Sequence, residues 1–251
     1  MSAALTVSFV LAERDARAQD RSGVLDTHHH EFESPQNFVL ELRLGPYRPN
    51  IDSDPALNGA RPYDQVFGDS EHLYLGVEFD WQAYRIPHLG TLGPGFSVAH
   101  VGISTPAPFA QPRTDGVTAS AENTSLEIFP MYVVGVFRAD VFMRDYRIPI
   151  VPYLKAGMGM AFWRGYNDAG TTTVNNVAAK GHTFGTHIAI GAGLCLNGFD
   201  EYTARNFDNA VGVNHTYLYW EYYVSNLTGI GQVDALRVGN SSWMMGLAFE
   251  F

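Results

Sequence analysis

The sequence predicts an all-β fold, an eight-stranded antiparallel transmembrane β-barrel with an outward apolar face and a packed polar interior. Three observations carry this reading. From Asn37 onward, segment after segment alternates with period two, which separates side chains onto two faces of a strand. One face is a continuous row of Leu, Ile, Phe, Met and Trp. The other mixes Gly, Ala and Tyr with isolated charges and is almost free of lysine. A soluble sandwich turns its polar face to water. Small residues with a few charges instead suit a cramped interior, and the oily row suits lipid.

Composition agrees. The chain has 251 residues, of which 13% are aromatic and only 17% charged, and it holds 25 glycines. Its 26 acids and 16 bases leave a net charge of −10, so no nucleic acid is expected as a partner. After the N-terminus no apolar run approaches the roughly 20 residues of a membrane helix. The single cysteine, Cys195, reads as a small buried hydrophobe.

In chain order, residues 1–18 read as a signal peptide. Ala3–Ala12 is the apolar stretch and Ala16-Arg17-Ala18 the small-x-small cleavage pattern, although no basic region precedes them. Residues 19–36 would be a periplasmic segment and 37–251 the barrel. The first strand opposes Phe38, Leu40, Leu42 and Leu44 to Val39, Glu41 and Arg43. The second opposes Leu73, Leu75, Val77, Phe79 and Trp81 to Tyr74, Gly76, Glu78 and Asp80. Gly95–Ser104 and Ser125–Phe137 alternate less cleanly, and the latter places Glu127 opposite Leu126 and Ile128. In Pro152–Trp163, Lys155 and two glycines share the inner face. His182–Leu196 puts His187 there, and Thr216–Ser225 puts Glu221 there. The last strand opposes Trp243, Met245, Leu247, Phe249 and Phe251 to Met244, Gly246, Ala248 and Glu250.

The connections 45–70, 105–123, 165–180 and 227–240 are rich in Gly, Pro, Asn, Asp and Thr and read as outer loops. The inner connections are longer than the tight turns usual for such barrels. The third has helical spacing at Phe199, Tyr202 and Phe207. A soluble eight-stranded barrel with an apolar pocket, as in lipocalins, is the competing architecture.

The segments GVNHTYLYWEYYVSNLTGIG (Gly212–Gly231) and SSWMMGLAFEF (Ser241–Phe251) resemble a family of small outer-membrane β-barrel proteins known mainly from myxobacteria and their relatives. Ile148–Arg164 and Glu122–Arg138 also look like blocks of that family. The resemblance spans about Ser34 to Phe251 and implies a bacterial outer-membrane location with no established catalytic motif. The aromatic strand ending in Phe251, with Trp243, Leu247 and Phe249, resembles the signal read by barrel-assembly machinery. Outer-membrane lipid, that machinery and other envelope proteins are the partners it implies.

Nine ionisable residues fall on the expected inner faces: Glu41, Arg43, Glu78, Asp80, Glu127, Lys155, His187, Glu221 and Glu250. Side chains fill an eight-stranded barrel, so these charges should pair in a network. A narrow cation-preferring pore is the functional alternative. His28-His29-His30 with Glu31 and Glu33 could ligate a transition metal but define no geometry, so neither metal nor cofactor is expected. No GxSxG or HExxH spacing supports a hydrolase, so catalysis is not expected, an envelope enzyme on lipid or peptide being the alternative. The tryptophans Trp81, Trp163, Trp220 and Trp243 and the tyrosines Tyr84, Tyr132, Tyr153 and Tyr222 suit interfacial girdles where they end strands.

Overall fold

The computed structural model describes residues 37–108, 119–174, 177–197, 212–232 and 235–251. The expected signal peptide, the periplasmic segment with its histidine run, and the Phe199–Tyr202–Phe207 spacing lie outside them.

Among the described residues eight long strands form one closed antiparallel barrel: β1 Phe38–Tyr47, β2 His72–Trp81, β3 Gly90–Pro108, β4 Ala119–Arg138, β5 Ile150–Asn167, β6 Lys180–Cys195, β7 His215–Asn226 and β8 Asn240–Glu250. Each pairs with its neighbour in sequence, and β8 returns to β1 through Leu40↔Phe249 and Arg43↔Gly246. Closure leaves no long edge with unpaired N–H and C=O groups. That is the condition for a sheet to sit in hydrocarbon. β3 to β6 run 19, 20, 18 and 16 residues, longer than the strand segments read from the sequence. Much of the expected loop 105–123 is therefore ladder: Thr105↔Thr124 and Pro106↔Asn123 still pair.

The two faces divide as their chemistry requires. Leu73, Leu75, Val77, Phe79 and Trp81 are all exposed, as are Met158, Ile188, Ile190, Leu218, Trp220 and Met245. Among the described residues, the Asp, Glu, Lys and Arg side chains on the outward rows of the strands are Glu127, Arg164 and Lys180, at the loop-end rim, and His100 and His182 also face outward. The span from Leu73 to Trp81 matches the roughly 9–11 residues of a tilted membrane strand. An exposed apolar surface of this extent is a lipid belt.

Inside, side chains pack in layers. Toward the loop end lies an apolar and aromatic cluster with Tyr47, Tyr74, Val101, Ile103, Leu126, Ile128, Tyr132, Leu227 and Met244. Toward the other end lies a smaller one with Val39, Val151, Tyr153, Tyr217, Tyr219 and Ala248. Tyr132, Tyr153 and Trp163, the last packed against the loop-end cluster, therefore face inward and are not girdle residues. Glycines make room for them. A Cβ on Gly159 would lie 2.6 Å from the Tyr132 ring, and one on Gly191 2.5 Å from that of Tyr153.

The connection between β1 and β2 folds over the mouth. Its helix α1, Pro62–Phe67, is tied by Asp52, which accepts from the N–H groups of Tyr63 (2.8 Å) and Asp64 (3.0 Å). Tyr63 is buried, and Ile51 and Phe67 pack on the upper cluster. Burial pushes the Tyr63 phenol up to about 12, so it stays neutral. The β7–β8 connection lies beside it: the Tyr47 hydroxyl donates to the Val238 carbonyl, and the Asn50 N–H donates to Gly239 (2.9 Å).

Ile188 sits near the middle of β6 and is exposed on the belt. Ile188→Arg should cost about 2–4 kcal/mol in unfolding measured from lipid vesicles. A soluble barrel would tolerate that exposed change within about 0.5 kcal/mol.

Candidate functional site

The charged interior residues lie between the two apolar clusters. β1 supplies Glu41 and Arg43, two residues apart and so on one face; β2 supplies Glu78 and Asp80 in the same phase. β5 adds Lys155, β7 Glu221 and β4 Arg138. Glu41, Arg43, Glu78, Lys155 and Glu221 are at most 1% exposed, so water contributes little to their solvation.

Each carboxylate meets a cation, and each cation bridges at least two carboxylates. Lys155 Nζ lies 2.7 Å from Glu41 Oε2, 2.5 Å from Glu78 Oε1 and 3.3 Å from Glu221 Oε2. Arg43 pairs with Glu78 and Glu221, and its Nε lies 3.1 Å from Met244 Sδ. Arg138 pairs with Glu41 and, at 2.6 Å, with Asp80 Oδ2. Lys155 and Arg138 also approach the Tyr153 ring, at 4.9 and 5.1 Å from its centroid. Carboxylate oxygens of Glu41, Glu78 and Asp80 converge within 4.8 Å of one another, a spacing a metal ion could use. The Lys155 ammonium and the Arg138 guanidinium already occupy that neighbourhood and supply the positive charge.

Three residues expected in this network stand elsewhere. Glu127 is on the outward row of β4, at the loop-end rim, where Arg164 donates to its Oε2 and Tyr166 to its Oε1. The reason is phase: Leu126, Ile128, Tyr132, Val134 and Val136 face in, so the odd positions between them face out. His187 is inside, but in the aromatic layer. Its ring lies 4.2 Å from that of Tyr132 and 5.8 Å from that of Tyr223, and its nitrogens have no hydrogen-bond partner among the described residues. Glu250 forms a separate cluster at the opposite mouth. It accepts from Gln82 Nε2 (2.5 Å) and the Tyr217 hydroxyl (2.6 Å), with His215 Nδ1 at 3.4 Å. Arg138 is the member that sequence reasoning missed; it continues the inward phase of Val134 and Val136. Trp243, Leu247, Phe249 and Phe251 lie on the outward row of β8 and its end.

With a closed register, an outward belt and a filled interior, the chain is an eight-stranded transmembrane β-barrel. The sequence matches no family model and no curated protein. Its fold is similar to that of solved outer-membrane barrels. These include Ail of Yersinia pestis, solved with the heparin analogue sucrose octasulfate, at 10% identity over 86% of this chain and 97% of that one, TM-score 0.42. Neisserial surface protein A is 10% identical over 87% and 98%, TM-score 0.44. The outer membrane protein OprG of Pseudomonas aeruginosa is 11% identical over 87% and 97%, TM-score 0.48. At such identities the likeness concerns the fold alone, and the barrel assignment rests on the register and the belt.

Replacing one member of the layer should be expensive, because it strands the others without solvent. Lys155→Met should lower unfolding stability by about 3–5 kcal/mol in detergent denaturation, because it leaves Glu41 with Arg138 alone and Glu78 and Glu221 to share Arg43. A loss under about 1 kcal/mol would mean that the carboxylates are hydrated in the folded barrel.

Proposed function

We propose that this chain is a non-enzymatic barrel of the bacterial outer membrane with a structural or interaction role in the cell envelope. It serves as a closed, rigid platform that carries its outer connections on one end. One observation supports this above all. A fully paired ionic layer spans the interior, and an apolar cluster lies on each side of it. An ion crossing the barrel would have to leave water, pass apolar packing and then break buried pairs, each step unfavourable by several kcal/mol. The docked connection over the mouth, with Tyr63, Ile51 and Phe67 against the upper cluster, supports the same reading.

The outward aromatic row of β8, with Trp243, Leu247, Phe249 and Phe251, suits recognition by barrel-assembly machinery. The loop end suits other envelope proteins. Affiliation with the barrel family known mainly from myxobacteria rests on the sequence blocks Gly212–Gly231 and Ser241–Phe251.

Planar-bilayer recording tests the closed state. The purified barrel should give no stepwise conductance under applied voltage, and Lys155→Met should give none or only erratic leakage. Regular cation-selective steps in the unmodified protein would establish the channel reading instead.

A further inference from the structure

Outside the barrel, at the loop-end margin of the belt, β4, β5 and β6 frame a groove of about 550 Å³ lined by the outward residues Phe129, Phe162, Arg164, Lys180 and His182. Phe129 and Phe162 are exposed there, and both histidines nearby lean on aromatic rings: His100 on Phe129 at 4.9 Å, His182 on Phe162 at 6.3 Å. An apolar floor on the lipid side thus meets a polar rim at the level where hydrocarbon gives way to headgroups.

The charges at that rim are unusual for this molecule. Glu127, Arg164 and Lys180 are register partners across three strands, so the row reads acid, base, base. Glu127 takes Arg164. Lys180 stands directly opposite Arg164, has no acidic partner among the described residues, and is exposed. Two cations opposite each other on adjacent strands repel unless an anion lies near both. In a chain of net charge −10, with the lipid belt free of ionic side chains, the placement of two cations here is a local demand for negative charge.

We propose that this groove binds an anionic, phosphate-bearing membrane lipid of the loop-end leaflet. Its acyl chain lies along Phe129 and Phe162, and its phosphate is held by Lys180 and Arg164. Arg164 offers planar N–H donors suited to phosphate oxygens and Lys180 a mobile point charge, while Glu127 fixes the Arg164 guanidinium from the other side. The inference rests on the membrane-spanning reading above.

Native mass spectrometry of the full chain released from detergent micelles tests it. The micelles carry either phosphatidylglycerol, which is anionic, or phosphatidylcholine, which has the same phosphate but no net charge. The unmodified barrel should retain phosphatidylglycerol at least several-fold better. The double variant Arg164→Gln/Lys180→Gln should lose that preference, Lys180→Gln alone should weaken it, and Arg61→Gln, on the exposed β1–β2 connection, should leave it intact. Millimolar inorganic phosphate should not displace the lipid, because the acyl contact is missing; displacement would identify a free-phosphate site instead. Equal retention of the two lipids, or undiminished preference in Lys180→Gln, overturns the proposal. Failure of the membrane reading is distinguishable, since a barrel that does not take up lipid retains neither.

Discussion

A barrel of eight strands has no room for water-filled space around its interior charges. Four carboxylates and three cations therefore have to satisfy one another. Glu41, Glu78, Asp80 and Glu221 sum to −4 against +3 from Arg43, Arg138 and Lys155, so every carboxylate can meet a cation only if the cations are shared. Sharing fixes the relative positions of β1, β2, β4, β5 and β7 at one height. Register in a sheet is otherwise weakly specified wherever glycines line the inner face. A buried ionic layer is poor evidence for extra stability, but it discriminates strongly against a slipped register, which would set like charges together.

The outer face is set by the same alternation. Because the inner rows hold every charge of the mid-barrel, the outer rows can be uniformly apolar, and the belt and the network are two sides of one pattern. Function follows from this division. The interior is committed to its own pairing and the wall to lipid, which leaves the ends and the rim for recognition. The groove at Arg164 and Lys180 lies at that boundary, where apolar surface and unshared positive charge stand side by side.

Much of the fold was legible in the sequence because the period-two rows are long and the two faces differ sharply in size and charge. The eight strands, their antiparallel order and the inside-out polarity all follow from rows such as Leu73–Trp81 and Trp243–Phe251. Legibility failed where both faces are apolar. In β4 the upper interior holds Leu126 and Ile128 while Phe129 and Val133 face lipid, so hydrophobicity gives no phase, and the reading slipped by one residue. That slip placed Glu127 inside and left Arg138 unnoticed. His187 is inside but belongs with Tyr132 and Tyr223, because period two sets the face of a residue and not its height along the barrel. Strand ends were likewise invisible at Thr105 and Asn123, where loop-type residues continue the ladder. The docking of Tyr63 over the mouth depends on tertiary packing that no local pattern carries.

The interior charges are paired with one another and not with water. Asp80 has a single cationic partner in contact among the described residues, Arg138. A double-mutant cycle on this pair is therefore the most direct measurement. Asp80→Leu and Arg138→Met should each destabilise the barrel, and the double variant should cost at least about 1.5 kcal/mol less than the two together, within the coupling range of buried charge pairs. Costs that simply add, to within about 0.5 kcal/mol, would show that water already solvates both groups and would contradict the sealed interior.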